Sequence, residues 1–292
     1  KNKGFTLIEL SIVLVIIGIM LYSGISIGAI QVEAAKMKQT RDKINKIDRA
    51  IQLYFETNNA LPCPAGGALP LNDIGFGKGA SSNPSTNLSD TDCPNANDLF
   101  DDANGNSDVI YLGVVPTRDL DLSDDFMMDG WGNRITYVVS KHCVDPDNWS
   151  DSDLSNLHKC TTGVDIADSS SPADADGDGD VNFEPGGNIM VLDDTDDTVR
   201  SSQVAYIIIS HGKNGLGGWT DEGSRITTAP DSSPFDLDNA SLTMSDGTGG
   251  DEFNYSYRDD MIADYEGASP TVYFDDIVSW KTAPQMWFEK TH

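Results

Sequence analysis

Histidine is scarce in this sequence, and positive charge is short against negative. Four histidines (His142, His158, His211 and His292) stand among 292 residues. None has the His-x-x-x-His spacing that puts two zinc ligands on one helix face. No Gly-x-Ser-x-Gly elbow stands in the region after residue 60, and the glycines after His211 lack the Gly-Lys-Ser/Thr ending of a phosphate-binding loop. His211 is expected in a surface turn. Carboxylates are so plentiful that any two chosen as acid and base would be arbitrary. None of the four cysteines forms a Cys-x-x-Cys pair, which argues against a zinc ribbon or a thioredoxin-like redox site. Nothing in these patterns supports an enzyme.

The shortage of positive charge is uneven. The chain holds 19 Lys+Arg against 47 Asp+Glu. The first sixty residues carry eight basic and five acidic residues, a net of +3. Subtracting them leaves 11 basic and 42 acidic residues in 61–292, a net of −31. A body so acidic repels phosphate backbones, which disfavours direct nucleic-acid binding, and it attracts divalent cations. A solvated acidic surface that maintains solubility accounts for most of the aspartate.

Long uncharged runs belong to the N-terminus. From Leu10 to Ile30 there are 21 residues without a charge; as a helix they rise about 30 Å, the thickness of a bilayer's hydrocarbon core. A plain anchor has no need of Glu9 at its entrance. A secretory signal peptide cut after Val32-Glu33-Ala34 is a second reading, although its apolar stretch is usually shorter. The third reading rests on Gly4-Phe5-Thr6-Leu7-Ile8-Glu9 behind the basic Lys1-Asn2-Lys3. This run resembles the cleavage and methylation motif of type IV pilins and type II secretion pseudopilins.

The resemblance implies a leader at 1–4, cutting between Gly4 and Phe5 by a prepilin peptidase, and N-methylation of Phe5. A carboxylate within a bilayer costs a few kcal/mol, so it is normally paired or functional. Cleavage creates an amine at Phe5 that can meet the Glu9 carboxylate of a neighbouring copy, neutralising both and fixing register. Six basic residues, Lys36 to Arg49, follow the apolar stretch and only two precede it. Counted alone they place the C-terminal side inside the cell; the cysteines and the acidic body favour the outside. Gly18, Gly24 and Gly28 interrupt the run, either loosening it or allowing close helix packing.

Helical pattern continues beyond the run. Met37, Ile44, Ile47, Ile51 and Tyr54 recur at helical spacing, and Asn58-Asn59 with Pro62 end the pattern. The expected divisions are the leader 1–4, a transmembrane and assembly helix 5–32, an amphipathic second half 33–60 and an acidic head 61–292. The expected fold is α+β: a long spine helix packed on an antiparallel sheet. Strands are expected at Val109–Val115, Arg134–Ser140, Asn188–Leu192, Val204–Ser210 and Thr271–Trp280, with a weaker one at Phe253–Tyr257. Residues 61–108 read as an irregular loop. Asp129-Gly130-Trp131-Gly132-Asn133-Arg134 and the run Ala205 to Gly215 resemble turns and strands of pseudopilin-type heads, although this head is much longer, with insertions around 75–108, 145–187 and 220–270.

Two further sites are expected in the head. An even cysteine count behind a membrane segment suggests two disulfides made in an oxidising compartment. Of three connectivities, the sequential one is favoured (Cys63–Cys93 and Cys143–Cys160), with free buried cysteines as the alternative. Asp174, Asp176, Asp178, Asp180, Asn182 and Glu184 alternate with small residues, a spacing that can aim several oxygens at one calcium ion. Pro185 stands where an EF-hand's closing glutamate belongs, and a disordered acidic loop is the other reading. Asp101 to Asp108 is a weaker candidate.

The expected function is a structural filament subunit. Its partners are copies of itself or other pilins, the prepilin peptidase with its inner-membrane assembly machinery, and the membrane before assembly. It ends as an extracellular or periplasmic bacterial filament. A pseudopilin of a type II secretion system, a calcium-dependent adhesive module at a filament tip and a secreted hydrolase released after Ala34 are the alternatives.

Overall fold

The computed structural model describes residues 7–79, 93, 97–99, 110–144, 189–192, 199–228, 239–240, 255–258 and 275–291; of residues 19–30 only the helical backbone is described. Helix α1, Leu7–Asn58, runs for 52 residues, or about 78 Å at 1.5 Å per residue. It stops where the sequence signals a stop. Asn59 takes a left-handed conformation, φ 53°, and its N–H donates to the Phe55 carbonyl at 2.9 Å. Asparagine tolerates that conformation better than branched residues do.

Seven strands form one sheet: β1 (Asn97–Leu99), β2 (Ile110–Val114), β3 (Thr136–Ser140), β4 (Ile189–Leu192), β5 (Val199–Ser210), β6 (Tyr255–Arg258) and β7 (Ile277–Thr282). The order is β1-β2-β3-β5-β4-β6, with β7 also paired to β5. All pairings are antiparallel except β4 with β6. The expectation of an antiparallel sheet therefore holds but for that pair. Strand β6 reaches β4 only after β5 has intervened, the kind of long connection that parallel pairing requires.

Three corrections apply to the sequence reading. Strand β1 lies within 61–108, which reads as loop because its three residues carry no hydrophobic alternation. Strand β5 begins five residues before the expected Val204, in a polar stretch, Val199-Arg200-Ser201-Ser202-Gln203. Helix α2 (Lys141–Val144) and helix α3 (Ala283–Thr291) were not expected. Helix α3 has a legible start: the Gln285 N–H donates to Thr282 Oγ1 at 3.3 Å, and the Thr282 N–H donates to Gln285 Oε1 at 2.9 Å. This reciprocal arrangement is a capping box.

Alternation sorts the sheet residues onto two faces. Tyr111, Tyr137, Val139, Tyr206 and Ile208 pack with Ile44, Ile47, Ile51 and Phe55 of α1. Ile110, Leu112, Val114, Val138, Ile207 and Ile209 form a second cluster with Ala65, Phe76 and Trp219 from the loops. Burial on both faces explains why β3 and the end of β5 read as continuous apolar runs rather than alternating ones. On α1 the buried stripe is Thr40, Lys43, Ile44, Ile47, Ile51 and Phe55. The expected Met37 and Tyr54 sit at its borders, half-buried.

Candidate functional site: an exposed apolar stem and its clamp

Glu9 and Ser11 aside, the first turns of α1 are apolar on every side, and among the described residues nothing buries them. Leu7 is 88% exposed, Leu14 61% and Val15 62%; Ile8, Leu10, Ile12, Val13, Ile16 and Ile17 are exposed as well. Burying a side chain of this size gains about 1.5–3 kcal/mol. These nine positions therefore represent on the order of 15–25 kcal/mol awaiting an apolar partner. A helix that is hydrophobic all round belongs in a core or a membrane. Ser11 hides its hydroxyl by donating to the Ile8 carbonyl at 2.8 Å, so it adds no unmet polar group. Glu9 stands exposed on this stem. Among the described residues, no helix is long and apolar enough to cross a membrane; most of the second half of the uncharged run, 19–30, contributes only backbone. Gly24-Ile25-Ser26-Ile27-Gly28 matches a nucleophile-elbow pattern, but it lies inside α1, where the strand-to-helix turn of an elbow cannot form.

The head grips α1 from residue 33 onward through the turn Asp129 to Arg134. The Trp131 indole N–H donates to Glu33 Oε1 at 2.6 Å, and the Gly130 N–H donates to Thr40 Oγ1 at 2.8 Å. Only glycine fits at 130, since a Cβ there would lie 2.9 Å from the Lys36 Cα. Lys43 spends its ammonium on the same loop. It donates to the carbonyls of Asp125 and Met128 at 2.7 and 2.8 Å, and Asp125 Oδ2 lies 3.0 Å away. That arrangement satisfies all three donors of a buried lysine.

Asp129 holds the turn's own shape. Its Oδ1 accepts the N–H groups of Trp131 at 2.8 Å and Asn133 at 2.9 Å, and its Oδ2 accepts the Ser210 hydroxyl at 2.8 Å. Burial pushes the Asp129 carboxyl above its ordinary value, and the donated hydrogen bonds pull against that rise. Resemblance identifies this turn in the sequence, but nothing in the sequence shows that its aspartate is buried or that its tryptophan reaches the spine.

Behind the sheet lies a second polar lock. Arg134 is buried, and its guanidinium donates to the carbonyls of Gly67 at 2.9 Å, Leu69 at 2.7 Å and Asp221 at 2.6 Å. It also sits 5.1 Å from the Phe76 ring centre. His211 is likewise buried, which corrects the expectation of a surface turn. Strand β5 continues inward to its last residue and delivers His211 beneath the loop 212–228. There Nε2 pairs with Thr136 Oγ1 at 2.8 Å. Burial first, and the charge of Arg225 second, depress its pKa to about 3. The imidazole is thus neutral and enclosed, the setting of a structural histidine.

Near the distal end of α1, Asp48 accepts the Tyr206 hydroxyl and pairs with Lys281 Nζ at 3.4 Å. Lys281 also bridges to Glu289 of α3 at 2.8 Å. Burial first, then the Asp48 charge, raise the Tyr206 phenol well above its usual range.

Cys63 and Cys93 are bonded, with their Cα atoms 5.4 Å apart, tying the chain that leaves α1 to the segment before β1. Cys143 is buried and disulfide-bonded. Cys160 lies outside the described residues, as do Gly4 and Phe5. So do Asp174, Asp176, Asp178, Asp180, Asn182 and Glu184, the whole expected calcium loop. Among the described residues, no group of three or more His, Cys, Asp and Glu could hold a metal ion.

A family model, the prokaryotic N-terminal methylation motif, matches residues 1–21. This motif is the type IV pilin and pseudopilin signature, and it points to a structural subunit rather than an enzyme. Nothing among curated proteins and nothing among solved structures matches the chain.

Proposed function

From a methylation motif at residues 1–21 that runs straight into an exposed apolar stem, we propose that this chain is the structural subunit of an extracytoplasmic pilus-like filament. The stem carries the reading. Its side chains need an apolar partner, and the signature in front of it supplies the processing that would let it leave the bilayer.

In this reading residues 10–30 span the inner membrane before assembly, and Gly4–Phe5 is the cleaved bond. The new amine at Phe5, methylated but still cationic, meets Glu9 of an adjacent copy in the filament core. Two opposite charges in contact avoid the cost that either bears alone in an apolar medium. The acidic head faces water.

Replacing Glu9 with Ala tests this directly. We expect filaments to fall at least about tenfold in electron micrographs while subunit level and head stability stay as in the wild type; normal filaments would sink the reading. Mass spectrometry of the mature protein should show methylated Phe5 at the N-terminus. A start near Ala35 would favour a secreted protein instead.

A second reading, a pseudopilin of a type II secretion system, is favoured by the Asp129-Gly130-Trp131-Gly132-Asn133 turn that clamps the spine. Deleting the gene separates the two: loss of secreted enzymes with surface pili intact selects the pseudopilin. Calcium at 174–184 belongs to either reading and rests on ligand spacing. Calcium should raise the head's melting temperature over EDTA by several degrees, and alanine at Asp176 and Asp178 should abolish the rise. Equal melting temperatures with calcium and EDTA would remove the metal from the account.

A further inference from the structure

Helix α1 presents a basic face on the side opposite its buried stripe, and we propose that this face docks the acidic head of a second copy of this chain. The proposal rests on the filament reading and supplies the contact between subunits outside the apolar core. Lys38, Arg41, Asp42, Asn45, Lys46 and Arg49 are all exposed. Their spacing puts them on the side of the helix opposite the buried Thr40–Ile44–Ile47–Ile51 stripe.

Three of the four acids of this half-helix are already paired, and the fourth, Glu56, stands exposed about two turns beyond Arg49. Glu33 accepts the Trp131 indole and Asp48 binds Tyr206 and Lys281. Asp42 pairs with Lys38 at 2.8 Å. Among the described residues, Arg41, Lys46 and Arg49 have no carboxylate partner; Lys46 lies over the Phe126 ring at 5.3 Å. A groove of about 360 Å³ beside this face is lined by Lys38, Lys43, Lys46, Asp42, Asp125 and Phe126; its two acids are paired with Lys38 and Lys43, which leaves Lys46 as the cation for an incoming carboxylate.

Charge complementarity names the occupant. Residues 61–292 carry a net of −31, as counted above, so every added copy brings an acidic surface. Anionic lipid is the competing partner, and distance argues against it. Lys38 lies eight residues past Ile30, about 12 Å along the helix. The headgroup layer beyond a bilayer's hydrocarbon core is only about 6 Å deep on each side.

The test uses the full chain reconstituted in neutral phosphatidylcholine vesicles, with self-association read by chemical cross-linking and filaments by electron microscopy in cells. Wild type should associate. Raising salt from 0.05 to 0.5 M shortens the Debye length from roughly 14 to roughly 4 Å and should weaken association about tenfold. The triple variant Arg41→Glu, Lys46→Glu, Arg49→Glu should lose filaments at least about tenfold, yet keep its melting temperature and a methylated Phe5. A triple variant that assembles like wild type overturns the docking face while leaving the filament reading intact. Wild type without filaments defeats the filament reading itself. Association seen only in phosphatidylglycerol vesicles assigns the face to lipid and overturns the proposal.

Discussion

The two halves of α1 are one continuous helix built on opposite principles. Residues 7–18 are apolar around the whole circumference and exposed, while residues 33–58 bury a single stripe and turn charge outward. Among the described residues, the head buries none of the first half's apolar side chains. The second is fixed to it by Trp131, Gly130 and Lys43, all acting through the 125–134 loop. Where a helix keeps its apolar surface unspent, the partner lies outside the subunit. Where it spends that surface on a sheet, it serves the fold.

The largest test of that contrast is acid. His211 has an ordinary pKa of 6.5, depressed to about 3 in the fold. Between those values the unfolded chain binds a proton that the folded chain refuses. Its contribution to stability is therefore complete above pH 6.5 and is lost as pH falls toward 3, up to about 5 kcal/mol. Urea denaturation across this window should show the slope, and His211→Gln should flatten it by about one proton. The helical signal of the stem, read by circular dichroism in detergent, should not follow it.

Next in size is Arg134→Met. It strands three carbonyls, of which that of Gly67 is buried, and should cost about 2–4 kcal/mol in urea denaturation, with membrane insertion unchanged. A loss under 1 kcal/mol would mean that the loops 67–69 and 221 hold themselves. The smallest expected effect sharpens the boundary between the halves. Trp131→Phe removes only the indole hydrogen bond to Glu33 and should cost about 1–2 kcal/mol. Hydrogen exchange should then rise around residues 30–36 and nowhere beyond Lys43. Exchange rising along the whole of α1 would show that the clamp is not local.

Much of this architecture was legible beforehand, unevenly. The spine, its end at Asn59 and six of the seven described strands follow from periodicity and turn residues acting over a few positions. Strand β1 is hidden because three residues, two of them polar, carry no period. Parallel pairing of β4 with β6 leaves no mark in either strand. The expected sites divide in the same way. The Gly4, Phe5 and Glu9 motif lies in six consecutive residues, and the Cys63–Cys93 bond joins the first two of the four cysteines in chain order. His211 was misplaced at the surface, since a histidine followed by Gly, Asn and Gly looks solvated until the 212–228 loop is laid over it.

What the sequence determined unaided is whatever depends on neighbours along the chain: a greasy rod with one acid near its start, a helix that turns amphipathic, and charge that changes sign near residue 60. What the tertiary structure alone decided is which polar groups leave water. Arg134, Asp129 and His211 look like ordinary surface residues until segments far apart in the chain close around them. Burial and hydrogen-bond partners are properties of the folded assembly of segments, and no local pattern encodes them.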